Sequence, residues 1–157
     1  MRLYLSYIGI MIHYIDDEAM ICDLFKNFIA LTAYKSKGFA SGDNYLSYLD
    51  SPSFMQPTAI ISDVTMPGIN GYDLTLEIRK RHPLQKIILC TGNPDEQHHV
   101  SATSQLCYTL NKPFKPEKLI AILDSLSSCE NARKTGINNQ YFKQCEFGID
   151  HVCPMYK

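Results

Sequence analysis

Four short apolar runs punctuate the chain: Gly9–Ile15, Thr58–Ser62, Lys86–Cys90 and Cys107–Leu110. Each has the length of a strand rather than of a helix. Between them apolar residues recur at helical spacing. Ile21, Leu24, Phe25 and Phe28 form one such set, and Leu119, Ile122, Leu123 and Leu126 form another. The span Tyr72–Arg81 carries a weaker version through Leu74 and Ile78. A fifth strand is expected near Thr32–Lys37, where the pattern is faint, followed by a short helix over Asn44–Leu49. Asn93-Pro94-Asp95-Glu96 reads as a helix start. The asparagine caps, the proline suits the first helical position and the glutamate closes a capping box. The helix it opens, roughly 95–102, is short and polar.

Strands that alternate with helices imply right-handed crossovers and a parallel sheet covered on both faces, an α/β fold. In such a sheet every strand ends along one edge, and ligands bind there. The residues that follow the runs therefore converge. They are Asp16 and Asp17 after the first, Asp63 after the second, Thr91 after the third and, past Asn111, Lys112 after the last.

A buried carboxylate is costly unless something binds it. Three crowded carboxylates also raise one another's pKa. A hard divalent cation relieves both problems, and Mg²⁺ takes carboxylates, waters and phosphate oxygens as ligands. Lys112 adds positive charge and Thr91 a hydroxyl donor. A carboxylate nucleophile, a metal, a lysine and a hydroxyl together suit phosphoryl transfer. Asp63 would attack phosphorus, Lys112 would neutralise charge on the equatorial oxygens and Thr91 would bind one of them.

The remaining composition narrows the picture. The chain has 157 residues, 45% of them hydrophobic, and a formal net charge of −1. That suits one domain with its own core and supplies no global attraction to nucleic acid or to an anionic membrane. The domain is placed over residues 1–126, with its core beginning near residue 11. Residues 127–157 lose the periodicity and are expected to form a tail, partly helical or disordered. The N-terminal stretch MRLYLSYIGIMIHYI is too short to span a bilayer and lacks a small-residue cleavage site. It is expected to form an extra turn or a strand extension before the first core strand. Cys22, Cys90 and Cys107 fall within helix- or strand-like segments and read as buried thiols in a reducing, cytoplasmic setting. Cys129, Cys145, His151 and Cys153 are soft ligands but lack a tight Cys-x-x-Cys knuckle, so a docking tail is preferred to a zinc site. His98 and His99 are expected to be exposed.

Asp16-Asp17-Glu18, Asp63 with Met66-Pro67-Gly68 and Asn70-Gly71-Tyr72-Asp73-Leu74, Thr91-Gly92, and Lys112-Pro113-Phe114 occur in that order at the expected strand ends. The set resembles the receiver domain of two-component response regulators, over roughly residues 11–126. The resemblance implies a flavodoxin-like fold with five parallel strands in the order 2-1-3-4-5. It implies that a sensor histidine kinase or a phosphotransfer protein donates a phosphoryl group to Asp63. It further implies that Asp17, Asp63 and the backbone carbonyl of Thr65 ligate Mg²⁺, that Asp16 positions the metal through water, and that the Lys112-Pro113 bond is cis. Thr65 and Asn93 would flank the site and tune hydrolysis. Receivers often carry a switching aromatic three residues before the lysine. Thr109 stands there and Tyr108 lies one place earlier, on the opposite face of a strand, so no aromatic switch is expected.

The function so implied is that of a stand-alone, Mg-dependent phosphoacceptor switch, not an enzyme. It would signal to an unknown downstream protein by contact or relay, without direct DNA or membrane binding. One alternative is a degenerate receiver that binds partners without phosphorylation. A less favoured one is an aspartate-nucleophile phosphatase, because Asp63-Val64-Thr65 faintly resembles the haloacid-dehalogenase signature. Thr65 stands where that chemistry needs a second aspartate.

Overall fold

The computed structural model describes residues 10–92 and 108–135, with side chains through Ser127 and excluding that of Tyr108. Its elements in chain order are β1 (Met11–Ile15), α1 (Ala19–Ala30), β2 (Lys35–Phe39), α2 (Gly42–Leu49), β3 (Ala59–Asp63), α3 (Gly71–Arg81), β4 (Lys86–Thr91), β5 (Tyr108–Asn111) and α4 (Pro116–Thr135). All strand pairs are parallel and the sheet order is β2-β1-β3-β4-β5. The segments that hold Asn93, His98, His99, Cys107 and the distal tail lie outside the described residues, as does the expected polar helix.

The sheet separates two apolar layers. Ile12, Tyr14, Ile61, Ile88 and Leu110 face Phe25 and Ile29 of α1 and Leu119, Ile122 and Leu126 of α4. Ile15, Ile60, Ile87 and Leu89 face Tyr45 and Leu49 of α2 and Leu74 and Ile78 of α3. Every residue of β3 and β4 is buried. That is why both strands read as unbroken apolar runs rather than as alternation.

The structure departs from the pattern in two places and extends it in a third, where the tail expected to be partly helical continues α4. The second strand begins at Lys35, because Thr32 instead closes a turn on the carbonyl of Ile29. Its sequence KSKGF lies on the sheet edge, where little of it is buried and the apolar signal fades. Helix α2 starts earlier than Asn44, at Gly42, where Ser41 caps by accepting the amide of Asn44. Helix α4 runs across the boundary placed after Leu126 and continues to Thr135. Extending a helix avoids the cost of nucleating one, so the backbone continues where the apolar spacing stops.

One buried polar group is tied to the second layer. His13 of β1 is 1% exposed and its Nδ1 lies 3.0 Å from the Tyr45 hydroxyl. Phe39, Tyr45, Tyr48 and Phe54 surround the imidazole edge-on. Burial first, and then the Lys37 charge, lower its pKa from 6.5 to about 4. Folded His13 is therefore neutral where the unfolded chain takes up a proton. Its contribution is fully retained above pH 6.5 and is lost as pH falls toward 4. The loss amounts to about 3 kcal/mol. Urea denaturation at a series of pH values should show this fall, and His13→Gln should flatten it over that window.

Candidate functional site

The strand ends along one edge of the sheet carry the polar residues. β1 leads directly into Asp16 and Asp17, β3 ends on Asp63, β4 ends on Thr91 and β5 leads through Asn111 into Lys112. Carboxylate oxygens of Asp16, Asp17 and Asp63 lie within 4.8 Å of one another. Asp16 and Asp63 are buried, and Asp17 is exposed. Lys112 lies between the two buried acids. Its Nζ is 3.1 Å from Asp16 Oδ2 and 2.9 Å from Asp63 Oδ1.

Each group is held by backbone. The other carboxylate oxygen of Asp16 accepts the Glu18 amide at 2.9 Å, and the Asp16 amide donates to the Phe39 carbonyl at 3.1 Å. Asp16 therefore satisfies the amide of the N-cap residue Glu18, whose own side chain makes no capping hydrogen bond. The Lys112 amide donates to the Thr91 carbonyl at 2.8 Å, which joins the ends of β4 and β5. The Lys112-Pro113 peptide is cis. The Thr91 side chain is buried at this edge, and Thr65 is exposed in the loop after β3.

The electrostatics follow from this packing. Burial raises the Asp63 pKa, and the hydrogen bond and charge of Lys112 only partly offset it. Burial alone would lower the Lys112 pKa, but Asp63 and Asp16 outweigh it and the net shift is upward. The lysine thus stays charged. Three carboxylates against one ammonium still leave two negative charges in a partly buried space. A divalent cation matches that deficit, and clustered carboxylate oxygens are the donors such an ion prefers. The residues present fit the group.

Sequence reasoning anticipated Asp16, Asp17, Asp63 and Lys112, and the structure brings these four together. Two supporting residues were missed. The Cys22 thiol donates to the Asp16 carbonyl at 3.2 Å, behind the acid. Its place on α1 gave only a helical-spacing signal. Gly71 opens α3 against the end of β3. A Cβ there would lie 2.4 Å from the Asp63 carbonyl oxygen and 2.9 Å from Val64 Cα. Its signal was the Asn-Gly pair, which the pattern quoted without assigning it a role.

An open parallel sheet with carboxylates and an inward lysine at its strand ends defines a flavodoxin-like α/β domain with its ligand edge at the strand termini. The family model of the response regulator receiver domain matches residues 12–124. The chain belongs to that family, whose members are the phosphoacceptor domains of two-component signalling and bind Mg²⁺ at an acidic cluster. The chemotaxis protein CheY of Thermotoga maritima is 28% identical over 114 residues, covering 72% of this chain and 93% of that protein. The DNA-binding transcriptional regulator NtrC of Klebsiella pneumoniae is 30% identical over 111 residues, covering 70% of this chain. The chain spans only 23% of that regulator's length. Among solved structures, the signal receiver domain of an HD domain-containing protein from Pseudomonas fluorescens Pf-5 shares the fold. It superposes with a TM-score of 0.72 at 21% identity, covering 79% of this chain and 98% of its own.

Alanine at position 71 would meet two backbone atoms that cannot swing aside. Gly71→Ala should destabilise the protein by about 1–3 kcal/mol in urea denaturation, as the start of α3 is forced off the Asp63 strand end.

Proposed function

We propose that this receiver accepts a phosphoryl group on Asp63 and that the aspartyl phosphate is its signalling state. The observation that carries the reading is the position of Lys112 Nζ, within 3.1 Å of Asp16 and 2.9 Å of Asp63, beside the exposed carboxylate of Asp17. Asp16, Asp17, Asp63 and the Thr65 carbonyl would hold Mg²⁺. When bound, the ion supplies the positive charge that the acid cluster and an incoming phosphoryl group both lack.

The chain's own groups then act as follows. An oxygen of the Asp63 carboxylate forms a bond to phosphorus while the bond from phosphorus to the donor breaks. With a phosphohistidine donor the electron pair leaves on the imidazole nitrogen. Lys112 stays protonated and neutralises charge on the transferring oxygens. The Thr91 hydroxyl donates to one of them. The modification exchanges one carboxylate charge for a phosphate with three acceptor oxygens, so the surrounding donors must rearrange, as a switch requires.

The donor is a sensor histidine kinase or a phosphotransfer protein in this reading. Ile21, Leu24, Phe28, Pro113 and Phe114 line an apolar groove of about 360 Å³ that reaches Lys112. Lys112 lines the groove and also bridges Asp16 and Asp63, and that shared residue supports the groove as the seat of that donor. Output is proposed to pass by protein contact or phosphoryl relay. Among the described residues no helix is long and apolar enough to cross a membrane. A cytoplasmic setting accompanies the reading and is supported by the free thiols of Cys22 and Cys90.

Incubation with acetyl phosphate and Mg²⁺ tests the proposal. Attack by Asp63 releases acetate and should add about 80 Da by intact-protein mass spectrometry, the mass of one phosphoryl group. The adduct should be absent with Asp63→Asn and after chelation of the metal. An unmodified wild-type protein would favour a binding module without phosphorylation. Turnover of many phosphate esters would favour a phosphatase.

A further inference from the structure

The loop between β3 and α3 carries Thr65 and must hold its carbonyl steady if the metal reading above is right. Met66 anchors the loop in the apolar layer beneath it. The Gly71 amide closes its far end on the Val64 carbonyl at 2.8 Å. A further anchor comes from a different element. Asp43, in the first turn of α2, accepts the Ile69 amide on Oδ2 at 3.3 Å. The same oxygen fills the space beside Gly68, where an added Cβ would lie only 2.1 Å from it. Gly68 has φ +75, a conformation that glycine adopts without a steric penalty. The Asp43 carboxylate thus occupies the place a side chain at 68 would need, and it satisfies a loop amide from there.

We infer that Asp43 is a positioning residue for the phosphoacceptor site: from α2 it clamps the Met66–Asn70 turn and so holds the Thr65 carbonyl in place. The inference rests on the proposed metal-dependent function, but the clamp itself can be read without it. Asp43 is exposed and belongs to a helix that contributes no residue to the acid cluster. It acts through the loop backbone and does not touch the reacting atoms.

Two variants separate a clamp from a charge effect. Asp43→Ala removes the acceptor, whereas Asp43→Asn keeps an acceptor oxygen and removes the charge. Amide hydrogen exchange by NMR on the full chain should show Ile69 exchanging about tenfold faster in the alanine variant, with Leu74 and Ile78 in α3 unchanged. The Mg²⁺ dissociation constant, from calorimetry with the metal alone, should rise about threefold or more in the alanine variant and stay near wild type in the asparagine variant. Equal weakening in both variants would overturn the clamp in favour of long-range charge. Wild-type exchange and affinity in Asp43→Ala would overturn it outright. If the wild-type protein bound no Mg²⁺, the proposed function would fail, and Ile69 exchange would still decide the clamp.

Discussion

Two buried carboxylates share one ammonium group, and the rest of the structure is arranged around that constraint. Burying an unpaired carboxylate costs several kcal/mol, and Asp16 and Asp63 are both buried at the sheet edge. Lys112 reaches both, from a position 96 residues beyond Asp16. The pairing is incomplete by design of the charges alone. One ammonium cannot balance three acids, and the Asp63 pKa stays raised despite its partner. The edge is left with net negative charge, the setting that the proposed cation and phosphoryl group would enter.

The fold makes this juxtaposition possible through direction rather than through local sequence. Parallel strands deliver all their C-terminal ends to one edge. The central strands β3 and β4 are buried along their whole length, so their ends are set by two apolar layers and not by loop chemistry. The loops then fix individual atoms. Asp16 is tied to the Glu18 amide, Lys112 to the Thr91 carbonyl, and the start of α3 to the strand end through the Gly71 amide on the Val64 carbonyl.

Much of this was legible in the chain because burial leaves a strong mark. Isoleucine runs announced β3 and β4, and helical spacing announced α1, α3 and the first half of α4. The acids and the lysine were found from their places at the ends of those runs. The mark weakens where burial does. Edge strand β2 carries two lysines and a glycine, and its position was misjudged. Leu24 was counted with the core stripe of α1, yet it is 42% exposed and lines the groove beside Lys112. Cys22 and Gly71 are named in the sequence pattern but not tied to the site, because each acts against a backbone carbonyl that only the folded chain brings to it.

Taken by itself, the order of residues determined the alternation of strands and helices, and hence the convergence of Asp16, Asp17, Asp63, Thr91 and Lys112 on one edge. Hydrophobic periodicity and chain direction are local properties, and they suffice for that much. Only the tertiary structure decided which carboxylates Lys112 bridges, which acid stays exposed, and which side chain accepts the Ile69 amide. Those outcomes depend on distances between elements far apart in the chain. The packing of both layers sets them, and no short stretch of sequence encodes them.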